Sequence, residues 1–117
     1  MRKLLITGAG GVLGNNVVKV LPEGGYEIYA LDLKKEFMTA KFAERKNTHF
    51  IETDDLNHNT DFLKNVDIIL HCAFARSQDG YALAQSIDFS EKIFKLAVQY
   101  NVPKVINISS QSIYGGF

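Results

Sequence analysis

Short apolar runs of strand length alternate with longer helical patterns along this chain of 117 residues. The first, fourth and fifth runs are almost continuously apolar, which is typical of strands that are covered on both faces of a parallel sheet. We therefore predict five strands in one domain that spans residues 1–117. The five predicted strands lie at residues 3–7, 26–33, 48–53, 66–73 and 104–110.

Helical patterns fill the segments between the strands. Apolar residues recur at helical spacing over 12–21 and over 79–100, and the second of these helices should end at Asn101. Weaker patterns predict a short helix over 36–46 and a single turn over 61–65. Such alternation predicts an α/β fold with a doubly wound parallel sheet. The Rossmann-type strand order 3-2-1-4-5 and the flavodoxin-like order 2-1-3-4-5 both fit the alternation.

A glycine-rich turn, TGAGGVLG at residues 7–14, joins the first strand directly to the first helix. Gly8 can adopt the backbone angles of a tight turn, Gly11 lets a phosphate approach the first helical N–H groups, and Gly14 permits close helix packing. A diphosphate there would lie at the positive end of the helix dipole. The turn favours the order 3-2-1-4-5, although a glycine cluster alone also fits an ordinary strand-to-helix turn. The predicted cofactor-binding residues of this segment are Gly8, Gly10, Gly11, Val12, Leu13 and Gly14.

An acidic residue, Asp32, stands at the end of the second strand. A carboxylate at that place can accept hydrogen bonds from both hydroxyls of an adenosine ribose. The alternative is a strand-end Asp that caps a loop. Because a carboxylate would repel a 2′-phosphate, we predict NAD as the cofactor and NADP as less favoured, although Lys34 and Lys35 would soften that repulsion.

The composition excludes several classes of function. Lys and Arg number 13 and Asp and Glu also 13, so the basic surface that a nucleic-acid binder needs is missing. No stretch approaches the roughly 20 apolar residues of a membrane span. The single cysteine, Cys72, cannot form an internal disulfide, and it has no partner at the spacing of a metal site. We therefore expect a cytoplasmic protein with no metal.

The motifs together resemble the extended short-chain dehydrogenase/reductases, the NAD-dependent epimerase/dehydratase family of nucleotide-sugar enzymes. Residues 7–14 resemble the family's TGxxGxxG, and Asp32 matches its ribose-binding acid. The segment TDDL at 53–56 is similar to its GD-L step after strand three. VDIILHCA at 66–73 resembles its DVVFHLAA strand, and ISSQSIYG at 108–115 its SS-x-x-VYG motif. The resemblance covers essentially the whole chain.

The resemblance implies a Rossmann-type domain that binds NAD and serves hydride transfer on a small-molecule substrate, a nucleotide sugar or a similar hydroxyl compound. It implies that Asp55 faces the adenine and that Leu56 packs beside the adenine ring. Ala73 and Ala75 would lie along the cofactor. Ser110 would be catalytic, with its hydroxyl hydrogen-bonded to the substrate oxygen.

Three further residues in or near these motifs are not predicted to be catalytic. His71 has an ordinary pKa near neutrality. It lies inside an apolar run, however, and the family keeps a His there without using it for proton transfer, so we predict a buried core histidine. Cys72 is predicted to be a small buried apolar residue. Asp88 stands where the family usually has an Asn.

The family's catalytic Tyr-x-x-x-Lys pair lies on the helix after the fifth strand. We expect this chain to lack that pair, to be the N-terminal part of a longer enzyme, and to be inactive alone. Two alternatives are a non-catalytic dinucleotide-sensing module and an NADPH-dependent atypical reductase. Strand five would be poorly covered at Val105, Ile106 and Ile108, which predicts self-association or marginal stability. In the family the helix matching 79–100 often packs in a dimeric four-helix bundle, so a homodimer is also expected.

Overall fold

Five parallel strands form the sheet, in the order β3-β2-β1-β4-β5. This order confirms the Rossmann-type prediction and rules out the flavodoxin-like alternative. The structure is a computed structural model that describes residues 2–11, 14, 16–17, 21, 25–34, 36, 47–72 and 80–108. The strands are β1 (Arg2–Thr7), β2 (Tyr26–Asp32), β3 (Thr48–Glu52), β4 (Ile68–His71) and β5 (Lys104–Asn107).

One long helix, α1 (Gly80–Gln99), connects β4 to β5, close to its predicted bounds of 79–100. It ends as predicted at Asn101, which adopts the left-handed φ of 54°. The N–H of Val102 donates to the carbonyl of Ala97, and the N–H of Asn101 donates to the carbonyl of Val98. This pattern is a Schellman cap, which satisfies the last carbonyls of the helix.

The other predicted helices are described only in part. Gly14, Asn16 and Val17 are helical, in agreement with the pattern over 12–21, and Glu36 is helical at the start of 36–46. The remainder of both segments lies outside the described residues. The predicted turn over 61–65 is a single-turn 3₁₀ helix, Asp61–Leu63, and a second one, Thr53–Asn57, follows β3.

The core lies in two layers, one on each face of the sheet. Leu5 of β1 packs in the layer that contains Ile93 and Ala97 of α1. Its neighbours Leu4 and Ile6 point to the opposite layer. Because β1 is covered on both faces, its sequence is continuously apolar, as predicted. Among the described residues, no helix has the length and apolarity to span a bilayer.

The exposure of Val105 and Ile106 on β5 agrees with the prediction that strand five is poorly covered, whereas part of the apolar pattern on α1 is unexpectedly exposed. Val105 and Ile106 point to opposite faces of the sheet, yet they are 37% and 38% exposed. Ile87 and Phe94, both placed on the predicted apolar stripe, are 60% and 37% exposed, whereas Ile93 is fully buried. β5 is one of the two edge strands of the described sheet, and fewer of the described elements cover it and the adjacent side of α1.

Candidate functional site

The candidate site lies at the carboxyl ends of three adjacent strands. Thr7, Asp32 and His71 are the last residues of β1, β2 and β4. Thr7 pairs in register with Leu31 on one side and with His71 on the other. The chain leaves β1 toward β2 and returns to β4 on its other side, so a topological switch point lies at this edge. Parallel sheets bind their ligands at such a point.

The glycine turn after β1 is tight. Gly8 has a φ of 66°, a left-handed angle that glycine adopts without steric cost. The N–H of Gly11 donates to the carbonyl of Gly8 at 2.9 Å, which closes the turn. The N–H of Ala9 donates to the carbonyl of Leu31 at 3.1 Å, and Ala9 is fully buried. The turn is therefore anchored to the end of β2.

Gly14 is buried against the first residues of this turn. A Cβ at position 14 would lie 2.6 Å from the carbonyl oxygen of Gly8 and 2.7 Å from the Cα of Ala9. Both atoms belong to the backbone, so neither can move as a flexible side chain would. The close approach of the helix to the turn therefore requires glycine at position 14.

The Asp32 carboxylate contacts the glycine turn. Its Oδ2 accepts the N–H of Gly10 at 2.8 Å, and its Oδ1 accepts the N–H of Leu33 at 2.7 Å. Asp32 thus caps the end of its own strand and also fixes the turn, as the loop-capping interpretation predicts, while its contact with a ribose stays a prediction. Each carboxylate oxygen has a second acceptor position, so the side chain retains capacity for further donors.

Three consecutive amide groups in the described part of the turn already donate within the protein. The N–H groups of Ala9, Gly10 and Gly11 donate to Leu31, Asp32 and Gly8. Amide donors for a diphosphate would therefore come from the residues after Gly11. Val12 and Leu13, which the sequence assigns to that role, lie outside the described residues.

A buried chain of polar groups lies beside the turn. Thr7 Oγ1 is 2.7 Å from His71 Nδ1, and His71 Nε2 is 2.7 Å from Ser90 Oγ of α1. The backbone N–H of Cys72 donates to Thr7 Oγ1 at 3.0 Å. Thr7 is fully buried and His71 is 1% exposed. Desolvation by burial lowers the pKa of His71, which keeps the imidazole neutral near pH 7.

His71 and Cys72 are thus buried, as the sequence predicts, but the polar partners of His71 were not predicted. Cys72 is a free, buried thiol whose pKa is raised by desolvation. Thr7 could have been paired with His71 because both end strands that are adjacent in the predicted order. Ser90 lies mid-helix, where no sequence signal distinguishes it. Asp88 is exposed on α1.

Asp55 and Leu56 follow β3 at the same edge of the sheet. The Asp55 carboxylate accepts the N–H of Glu52 at 2.9 Å, which caps the 3₁₀ turn Thr53–Asn57. Leu56 is 5% exposed and packs in the core layer that contains Leu31. Their contacts with an adenine ring stay a prediction. Ala73, Ala75 and Ser110 lie outside the described residues.

The expectation that the chain lacks a Tyr-x-x-x-Lys spacing is wrong, because Tyr100 and Lys104 have it. The structure separates these two residues from the candidate site. Tyr100 follows the end of α1, Lys104 begins β5, and the left-handed Asn101 lies between them. The Tyr100 hydroxyl is 2.6 Å from Thr60 Oγ1. Because α1 returns from the end of β4 to the start of β5, Tyr100 lies at the amino edge of the sheet, opposite the candidate site.

The family model of the NAD-dependent epimerase/dehydratase family matches residues 4–117, which is nearly the whole chain. The chain belongs to this family. Among the described residues, no group of three or more His, Cys, Asp or Glu side chains is placed to hold a metal ion.

Related proteins are about three times as long as the chain. The chain is 28% identical to UDP-glucose 4-epimerase of Vibrio cholerae over an alignment of 123 positions, which covers 98% of the chain and 32% of that protein. The WbmG enzyme of Bordetella bronchiseptica, solved with NAD and UDP, is 26% identical with a TM-score of 0.74 over 89% of the chain and 36% of WbmG. Yeast methylglyoxal/isovaleraldehyde reductase Gre2, solved with NADPH, is 17% identical with a TM-score of 0.73 over 92% of the chain and 37% of Gre2. The last likeness shows the shared fold.

Proposed function

We propose that the chain binds a nicotinamide adenine dinucleotide across the carboxyl edge of its sheet, with NAD preferred over NADP. It would be the cofactor-binding part of an oxidoreductase that acts by hydride transfer on a nucleotide sugar or a similar hydroxyl substrate. The observation that carries this proposal is the contact between the Asp32 carboxylate and the N–H of Gly10. It brings the group suited to an adenosine ribose directly beside the turn suited to a diphosphate.

The residues present fit such a cofactor. The space beside Gly14 is too small for a Cβ, so the helix approaches the turn as closely as a diphosphate site requires. Asp32 would accept hydrogen bonds from the ribose hydroxyls, and its negative charge would oppose a 2′-phosphate. The amides of Val12 and Leu13 would hold the diphosphate at the positive end of their helix.

The remaining predicted residues complete the proposed site. Asp55 and Leu56 would lie at the adenine, and Ala73 and Ala75 along the cofactor. The nicotinamide supplies a hydride acceptor when the cofactor is bound. Ser110 would hydrogen-bond the substrate oxygen at the carbon that is oxidised.

The substrate class rests on the relatives. The curated relative from Vibrio cholerae acts on a UDP-sugar according to its name, and the WbmG structure contains UDP together with NAD. The chain spans about a third of each of these proteins. A nucleotide sugar is therefore proposed as the substrate of the protein to which this cofactor-binding part contributes.

Calorimetric titration of the 117-residue chain with NAD, NADP and ADP-ribose tests the proposal. We expect NAD and ADP-ribose to bind more tightly than NADP. Asp32→Ala should weaken NAD binding by about tenfold or more, since hydrogen bonds to a charged group are lost, and should relax the discrimination against NADP. Asp61→Ala, which removes an exposed acid after β3, is the control and should bind as the wild type does. No binding of any of the three ligands would refute the proposal.

A further inference from the structure

The glycine turn is held from both neighbouring strands, and each side uses a different kind of contact. On the β2 side, Asp32 and the carbonyl of Leu31 accept N–H groups of the turn. On the β4 side, Thr7 is held by the N–H of Cys72, which donates both to the carbonyl oxygen of Thr7 and to its Oγ1. Because Thr7 directly precedes Gly8, these contacts hold the residue at which the turn begins.

The hydrogen bonds of His71 can be given a direction. Thr7 Oγ1 accepts the N–H of Cys72 at 3.0 Å, and a neutral imidazole that accepts the Thr7 proton at Nδ1 carries its own proton on Nε2. His71 Nε2–H would then donate to Ser90 Oγ, and His71 Nδ1 would accept the hydroxyl proton of Thr7. The aromatic rings of Phe89 and Phe94, 5.7 and 5.5 Å from the imidazole between ring centres, cover it on the side of the helix.

We propose that Thr7, His71 and Ser90 form a directional hydrogen-bond chain that positions the glycine turn for the diphosphate of the dinucleotide and couples this turn to helix α1. The inference rests on the proposed function, since the ligand is the one proposed above. All three act as positioning residues, because they hold the turn through Thr7 and need not touch the ligand. The coupling predicts that a change at Ser90, on a different element, alters binding at the turn.

Small displacements of Thr7 would be transmitted to the phosphate site because the turn is tightly packed and closed by a hydrogen bond. The carbonyl of Gly8 accepts the N–H of Gly11. The space between the backbone of Gly8 and Gly14 is too small for a methyl group. A shift of Gly8 must therefore displace the start of the following helix. The amides of Val12 and Leu13, which precede Gly14 in the chain and which the proposed function assigns to the diphosphate, would move with it.

Matched variants of Thr7 test the proposal. Thr7→Val keeps the shape of the side chain but removes the hydroxyl, whereas Thr7→Ser keeps the hydroxyl. We expect Thr7→Val and Ser90→Ala each to weaken ADP-ribose binding by about three- to tenfold, the effect of one lost hydrogen bond, and Thr7→Ser to restore it to within about twofold. In the ligand-free chain, amide hydrogen exchange at Gly10 and Gly11 should accelerate in Thr7→Val and not in Thr7→Ser.

Nitrogen-15 spectra of the His71 ring test the direction of the hydrogen-bond chain, and ADP-ribose affinity separates a positioning role from a purely structural one. We expect the neutral Nε2–H tautomer in the wild type and a changed Nε2 shift in Ser90→Ala. The Nδ1–H tautomer, or ADP-ribose affinity in Thr7→Val equal to that of the wild type, would overturn the inference while the proposed function stands. If the wild type binds no ADP-ribose, the proposed function fails and the inference fails with it. Should Thr7→Val not fold, Ser90→Ala decides by the same criteria, since Ser90 is only half-buried.

Discussion

The substitution Gly14→Ala tests the packing of the glycine turn most stringently. The new Cβ would lie 2.6 Å from the carbonyl oxygen of Gly8, whereas ordinary contacts begin at 3.4 Å. The helix and the turn must therefore separate by several tenths of an ångström. Overpacking of this kind costs about 1–3 kcal/mol. Alanine recovers up to about 1 kcal/mol through its higher helix propensity, so we expect a net loss of about 1–2 kcal/mol in the free energy of unfolding.

Gly80→Ala is the matched control because it makes the same change at the first residue of α1. A Cβ there would meet no atom within 4 Å. We expect Gly80→Ala to be neutral or to stabilise the chain by up to about 1 kcal/mol, since alanine lowers the entropy of the unfolded chain. Urea unfolding of both variants measures the difference, and ADP-ribose titration should show weaker binding for Gly14→Ala alone. If Gly14→Ala proves as stable as Gly80→Ala, the close packing of the helix on the turn is refuted.

Three further predictions concern charge, pH and the exposed edge of the sheet. Asp32→Asn keeps an acceptor for Gly10 but removes the charge, so it should lose the preference for NAD over NADP while exchange at Gly10 stays slow; a retained preference would contradict this. Because burial lowers the pKa of His71 below 6.5, the unfolded chain binds a proton that the folded chain does not, and unfolding free energy should fall by up to about 1.4 kcal/mol per pH unit below pH 6.5. Urea denaturation measured at several pH values should show this fall in unfolding free energy in His58→Gln, the control at an exposed histidine, but not in His71→Phe. Exposed apolar residues on α1 and β5 predict self-association at micromolar concentration, which Val98→Lys should reduce in sedimentation experiments; a monomeric wild type would contradict it.

The fold could be predicted because its signals are local. The glycine turn fixed the place of β1, and the continuous apolar character of β1 and β4 indicated two-sided burial. The end of α1 followed from Asn101, a residue that tolerates the left-handed angle of a Schellman cap. Strand ends were less predictable: among residues 66–72, the described part of the predicted segment 66–73, the strand covers Ile68–His71, because hydrophobicity does not show where ladder pairing stops.

The residues of the candidate site could be predicted where their position in the sequence is itself informative, but their hydrogen-bond partners could not. Asp32 was located by its place at the end of β2, but its hydrogen bond to Gly10 depends on tertiary geometry. The partnership of His71 with Ser90 joins a strand end to the middle of a helix, a relation that periodicity does not contain. The exposure of β5 at Val105 and Ile106, in contrast, agrees with the predicted poor cover of strand five.

The central claim is that a dinucleotide binds where the glycine turn meets Asp32, and amide chemical-shift mapping during titration with ADP-ribose tests it most directly. We expect saturable shifts to concentrate at residues 8–14 and at Asp32 and Leu33, with little change at Tyr100 and Lys104 on the opposite edge of the sheet. Shifts that saturate at the opposite edge while residues 8–14 and Asp32 stay unchanged would contradict it.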